Sequence, residues 1–213
     1  MIVMTEDLKD KLRSALAARP PTRISQEGAR DAAVLIPIVA TPEPTLIFTV
    51  RTDTLSSHKG QISFPGGSLD PGESAIAAAL RESEEEVGLD ASTVEVLGEL
   101  DTFPTIVTGF VVTPVIGWLP EPPELRPNPA EVAAVLHVPL AQLNEEIRSE
   151  PGFSHNDKSY PTEAWVWEDN VIWGVTARII RSFLSVLAEA GLADPPGETQ
   201  SWIGWPMPDG KAS

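Results

Sequence analysis

Apolar and polar residues alternate along this chain with two different periods. From Ser74 to Val87 there is no Gly or Pro, and Ala, Leu and Glu dominate. At roughly 100° per residue, Ile76, Ala79, Leu80, Ser83 and Val87 fall on one stripe, which predicts a helix with that stripe against the core. Asp70-Pro71-Gly72-Glu73 reads as the turn entering this helix and Gly88 as its stop. Two more amphipathic helices are predicted over Glu6 to Ala18, with Thr5 as N-cap candidate and Arg19-Pro20-Pro21 as stop, and over Gly174 to Ala190. Extended runs occupy Ala32–Ile38, Thr45–Arg51, Ile62–Phe64, Val94–Leu100, Phe110–Trp118 and Glu131–Val138, and Glu163–Trp167 with Val171–Trp173 forms a hairpin. Pro114 inside one of these runs suggests an edge strand or a bulge. Leu119 to Pro129, with five prolines, and the polar Ser149–Pro161 read as loops, and Leu140–Arg148 as a short helix. There is no internal repeat. Strands and helices in this order fit an α/β fold, an α/β/α sandwich around a mixed sheet.

Within the first of these helices, Glu82, Glu85 and Glu86 stand at i, i+3 and i+4 and share a face, while Glu84 points to solvent. Like charges so placed repel by about 0.2–0.5 kcal/mol per exposed pair, and by more when partly buried. A bound cation removes that penalty. Oxygen-only ligands in a chain without cysteine favour Mg2+ or Mn2+ over Zn2+. An isolated glutamate-rich helix would simply face water. Here the glutamates follow the Gly66-Gly67 turn, and their spacing fits a long pattern.

That pattern resembles the Nudix box: Gly, five residues, Glu, seven residues, then Arg-Glu-aliphatic-x-Glu-Glu-x-Gly-aliphatic. Gly67, Glu73, Arg81, Glu82, Glu85, Glu86, Gly88 and Leu89 fill its fixed positions in register. Ser83 takes the place of the usual aliphatic residue, where a packing change is expected. The resemblance implies a Nudix-type sandwich and a metal-dependent pyrophosphohydrolase acting on a nucleoside diphosphate derivative. It makes Glu82, Glu85, Glu86 and the Gly66 carbonyl metal ligands. It has Arg81 orient the carboxylates through Glu73. Positioning and electrostatics then carry the rate of a water attack on phosphorus. Glu85 and Glu131 are both candidates for the general base; Glu131 follows a proline-rich loop able to overhang the site.

Upstream, Phe48 to Gly67 is similar to the additional motif of the coenzyme A pyrophosphatase subgroup of Nudix hydrolases. Thr49, Arg51, Gly60 and Phe64-Pro65-Gly66-Gly67 match it in register. The resemblance implies cleavage of coenzyme A or its thioesters to adenosine 3',5'-bisphosphate and 4'-phosphopantetheine, with Arg51, His58 and Phe64 as substrate-binding candidates. Looser likenesses follow in the expected order: Thr108–Pro114, Asn128-Pro129-Ala130-Glu131-Val132, Val138-Pro139-Leu140 and Ile172–Arg178. Ser56 stands where the motif has its second arginine, and a serine cannot supply that charge. ADP-ribose, a nucleotide sugar, a dinucleoside polyphosphate or a nucleoside triphosphate therefore stay open as substrates. So does a ligand-binding module without catalysis, although retained repelling glutamates speak against it. Plainer readings also exist: Arg51 as a surface ion-pair partner, His58 as an ordinary loop histidine, and Phe64-Pro65 as a packed turn.

Composition narrows the remaining choices. The chain has 213 residues and a formal net charge of -16, with no basic stripe, which argues against nucleic acid as a partner and for a small-molecule pyrophosphate. No apolar run reaches the length of a membrane span, there is no thiol chemistry, and Met1 to Asp7 is unlike a signal peptide, so the expectation is cytoplasmic. The expected organisation is an N-terminal helix and linker over 1–29, a catalytic domain over 30–192, and a Pro- and Gly-rich tail over 193–213. Trp202 and Trp205 in that tail suit either a disordered end or one folded onto the body or a neighbouring subunit, which leaves a homodimer open.

Overall fold

The two longest apolar runs lie side by side at the centre of the protein. The computed structural model describes residues 5–52, 60–105, 108–149, 153–155, 158–160 and 163–197. In chain order its elements are α1 (Thr5–Ala18), β1 (Arg30–Val39), β2 (Thr45–Arg51), β3 (Ile62–Ser63), β4 (Gly66–Ser68), α2 (Ala75–Val87), β5 (Glu95–Glu99), β6 (Phe103–Pro104) and β7 (Phe110–Leu119). They continue with β8 (Val132–Pro139), β9 (Arg148–Ser149), β10 (Phe153–His155), β11 (Lys158–Tyr160), β12 (Ala164–Trp167), β13 (Asn170–Trp173) and α3 (Val175–Glu189).

β1 and β7 pair in parallel from Arg30↔Phe110 to Val39↔Leu119. Parallel neighbours need a long crossover, and α2 lies within it. The main sheet runs β3-β2-β1-β7-β5, with β4 antiparallel on β1, β6 on β7 and β8 on β2. β12, β13 and β9 form a smaller antiparallel sheet, and β10 pairs with β11.

Alternation along β1 divides the core. Ala33, Leu35 and Val39 face α2 with Ala78, Ala79, Val87 and Leu89. Ile36 and Ile38 face the opposite side, where Leu8, Leu12 and Leu16 of α1 meet Ile179, Ile180 and Phe183 of α3. The result is the α/β/α sandwich expected from the sequence. No helix among the described residues is long and apolar enough to cross a membrane.

Several local expectations change. The buried face of α2 is Ala78, Ala79, Ser83, Glu86 and Val87, whereas Ile76 is exposed. The helix is turned so that small alanines meet the sheet and one glutamate faces inward. Pro114 is not on an edge: β7 is central, and Pro114 lies where its antiparallel neighbour changes from β5 to β6. Its carbonyl accepts from the Leu100 N–H at 2.9 Å, so the position without a donor coincides with the interruption between those strands. Leu140–Arg148 is not one helix but two 3-10 turns, Leu140–Gln142 and Glu145–Ile147, running into β9. Within 149–161, β10 and β11 form a short hairpin. The Gly197 N–H donates to Glu145 Oε1 at 2.9 Å and its carbonyl accepts from Arg181, which ties the chain back to the body at that point. Trp202 and Trp205 lie outside the described residues, as do Ser56 and His58.

Candidate active site

α2 begins and ends by rule. Ser74 caps its start, with Oγ accepting from the Ala77 N–H at 3.2 Å, and Gly88 closes it in the left-handed conformation at φ 67°. Ser83, in the usual aliphatic place, is fully buried and donates to the Ala79 carbonyl at 2.6 Å, so its hydroxyl is satisfied within the helix.

Against the C-terminal half of α2 lies β4. The Gly66 N–H donates to the Glu86 carboxylate at 3.1 Å. Glu86 is only 7% exposed. Burial pushes its pKa up from 4.5 to about 7; the negative charges of Glu82 and Glu131 add to that, and the Gly66 N–H and the Arg51 charge oppose it. Gly67 lets Glu82 approach the backbone: a Cβ there would sit 2.4 Å from the Glu82 carboxylate.

Arg81 organises the outer half of the cluster. Its Nε and Nη2 donate to the two Glu73 oxygens at 3.0 and 2.9 Å, its Nη1 to Glu82 at 2.8 Å, and its Nη2 also to the Ser68 carbonyl at 3.0 Å. The pairing of Arg81 with Glu73 is the one implied by the family pattern. Glu85 lies 3.5 Å from Arg81 with its side chain 61% exposed. Glu82 and Glu86 therefore converge at Gly66-Gly67, while Glu85 stands at the rim.

The fork of Arg81, with the Asp70 N–H, holds the Glu73 carboxyl down at about 2 from 4.5. A carboxyl with a lowered native pKa stabilises the fold above its unfolded value and stops doing so as pH falls through the native one. Wild type is thus expected to exceed Glu73→Gln in stability at neutral pH, with the gap closing between pH 4.5 and about 2. Urea unfolding of both proteins across that range measures it. A gap unchanged down to the acid limit would refute the ion pair.

From the other side of the site, Arg51 ends β2 opposite Val132, with its Nε buried and without a hydrogen-bond partner among the described residues. Glu131 is exposed, and its charge reaches Glu86. The structure thus brings Glu82, Glu86, Gly66, Arg81, Arg51 and Glu131 to one place. Phe64 does not reach its surface: it is 1% exposed and stacks on Phe48 at 4.4 Å, as a packing element beneath the site. Among the described residues no three His, Cys, Asp or Glu side chains close to metal-binding distance. The donors nonetheless fit a hard divalent cation, because a buried carboxylate carries excess negative charge from two neighbours and every donor is oxygen.

Asn128, which in the sequence stands only as part of a family likeness, also holds the end of α2. The Asn128 N–H donates to the Glu86 carbonyl at 2.8 Å, and the Arg126 N–H to the Val87 carbonyl at 2.6 Å. The signal was general: the last carbonyls of any helix need outside donors, and Asn-Pro marks a turn.

Comparison with known proteins fits this arrangement. The NUDIX domain family profile matches residues 29–162. A protein of Photorhabdus laumondii subsp. laumondii named Uncharacterized Nudix hydrolase NudL is 44% identical over 163 residues, covering 76% of this chain and 86% of its own. Its namesake in Escherichia coli (strain SMS-3-5 / SECEC) is 44% identical over 177 residues, 82% of this chain and 91% of its own. Among solved structures, a MutT/nudix family protein from Enterococcus faecalis shares the fold with a TM-score of 0.52 at 15% identity, over 78% of this chain and 64% of that one.

Proposed function

This chain belongs to the Nudix hydrolase family, and on that premise we propose that it is a Mg2+- or Mn2+-dependent pyrophosphohydrolase whose preferred substrate is coenzyme A or a coenzyme A thioester. One observation carries the catalytic reading: the convergence of Glu82 and Glu86 on Gly66-Gly67, with Arg81 locking Glu82 to Glu73. Nudix hydrolases generally use divalent cations. Glu82, Glu85, Glu86 and the Gly66 carbonyl are the groups that would hold one here. When bound, such an ion neutralises phosphate oxygens and lowers the pKa of a water.

The rest is the work of side chains. Glu131, exposed beside Glu86, accepts the proton of the attacking water. Water forms a new bond to one phosphorus of the diphosphate as the bridging oxygen leaves with the other. Arg51, at the end of β2 with its charge felt at Glu86, offsets phosphate charge. Arg81 keeps Glu82 in place throughout. With coenzyme A the products are adenosine 3',5'-bisphosphate and 4'-phosphopantetheine.

The substrate assignment rests on the likeness of Thr49, Arg51, Gly60 and Phe64–Gly67 to the coenzyme A subgroup. Ser56 in place of an arginine favours a second reading, in which another nucleoside diphosphate derivative such as ADP-ribose is preferred. Turnover of coenzyme A, its thioesters, ADP-ribose, NADH and nucleoside triphosphates with each cation decides between them. Coenzyme A or a thioester is expected to rank first, with no turnover in chelator. A better rate on ADP-ribose defeats the substrate assignment and leaves the hydrolase. No cation-dependent cleavage of any of them defeats the catalytic reading.

A further inference from the structure

The segment from Arg126 to Val132 is sewn to both halves of the site. At one end, Arg126 and Asn128 supply N–H donors to the carbonyls of Val87 and Glu86, the last turn of α2, at 2.6 and 2.8 Å. Those carbonyls have no donors of their own within the helix. Glu86 is consequently fixed twice, its carbonyl by Asn128 and its carboxylate by Gly66. At the other end, the Thr52 N–H donates to the Glu131 carbonyl at 3.0 Å and the Thr52 Oγ1 to the Ala130 carbonyl at 3.2 Å. Thr52 directly follows Arg51, so this stitch joins the loop to the end of β2.

Between the stitches, a single residue sets the path. The Asn128 Oδ1 accepts from the Ala130 N–H at 3.1 Å, closing a side-chain turn across Pro129. The Asn128 carbonyl accepts from the Glu131 N–H at 3.0 Å and the Val132 N–H at 2.8 Å. Asn128 bonds in both directions along this path, to the helix terminus and to the Glu131 backbone. Its amide holds the helix, its carbonyl holds the Glu131 backbone, and its side chain fixes the bend.

We infer that Asn128 is a positioning residue that fixes the Glu131 backbone beside the C-terminal turn of α2, resting on the proposed role of Glu131 in proton transfer. Asparagine is suited to this because it precedes a proline, which lacks an N–H, and the donor left to its side chain is the next one along, at Ala130. Alanine removes only that acceptor. Serine keeps one.

The test compares Asn128→Ala, Asn128→Ser, Glu131→Gln and the Asn128→Ala/Glu131→Gln pair, all as full-length protein. In metal-free protein, amide hydrogen exchange at Ala130 and Glu131 is expected to speed up in Asn128→Ala and return toward wild type in Asn128→Ser, with α2 still protected. With Mg2+ and coenzyme A, or the best substrate of the panel above, Asn128→Ala is expected to lose roughly tenfold or more in kcat at little change in KM. Asn128→Ser should recover most of that. The double variant should be no slower than Glu131→Gln alone. Unchanged exchange at Ala130 and Glu131 overturns the inference, and so does a double variant slowed by the full product of the two single effects. If Glu131→Gln turns over normally, the proton-transfer role fails and takes the inference with it. If Glu131→Gln is slow and Asn128→Ala is not, the inference alone fails.

Discussion

Glu86→Gln is expected to lower kcat by about a thousandfold without weakening the fold. Glutamine keeps an amide oxygen for the Gly66 N–H, so the 3.1 Å hydrogen bond between β4 and α2 can survive. It discards the charge that a divalent cation needs. In the absence of cation that charge is a burden, since the carboxylate is 7% exposed and has Glu82 and Glu131 as negative neighbours. A carboxyl whose native pKa is raised from 4.5 to about 7 holds its proton more firmly folded than unfolded, so it costs stability as pH rises through that window. Metal-free Glu86→Gln should therefore melt at or above wild type, with the advantage growing from pH 4.5 to about 7 and level above that. Thermal melts in chelator and kcat at saturating Mg2+ separate the two effects. Joint loss of stability and rate would make Glu86 a structural residue, and near-normal turnover would remove it from the proposed cation site.

The helix carrying this residue was legible because its signals are local. The Asp70–Glu73 turn, Gly88 and the alanine- and glutamate-rich run between them act within a turn or two, and the Arg81–Glu73 pair is the one the family resemblance implies. Which glutamate faces inward was not legible. Glu82, Glu85 and Glu86 have the same chemistry, and the choice is made by the Gly66 N–H, which β1 places beside the helix. The apolar period likewise pointed to Ile76, but Ala78 and Ala79 are the residues packed against β1, and Ile76 is exposed. Phe64 illustrates the reverse. Its motif position suggested contact with substrate, while stacking on Phe48 puts it beneath the surface. The missing donor of Pro114 by itself suggests an edge strand or a bulge. That its antiparallel neighbour breaks at that point depends on the lengths of two other strands, which no local pattern carries. Asn128 escaped for the same reason: its partner carbonyl belongs to a helix far earlier in the chain.

Gly66→Ala and Gly67→Ala should behave differently although the glycines are adjacent. At Gly66 a Cβ would lie 2.2 Å from the Ala33 carbonyl oxygen and 2.5 Å from the Val34 Cα, and φ is 153°, where side chains are disfavoured. Both obstacles are backbone of the central strand. β4 would have to leave β1, giving up the Ala33↔Gly67 and Val34↔Gly66 pairs together with the hydrogen bond to Glu86. A loss of about 4 kcal/mol or more is expected, at the upper end for single substitutions. At Gly67 the nearest atoms are the Glu82 carboxylate at 2.4 to 2.6 Å, the far end of a side chain that can swing away. Displacement takes Glu82 off Arg81 and out of the proposed cation site. Gly67→Ala is therefore expected to lose less than about 1.5 kcal/mol of stability but at least roughly tenfold in kcat. Urea unfolding and steady-state rates on the two variants measure both quantities. Equal destabilisation would mean that β4 is held by its backbone fit alone. A stable, slow Gly67→Ala would mean that the second glycine serves the close approach of Glu82, and that the Gly-Gly pair combines one steric demand of the sheet with one of the chemistry.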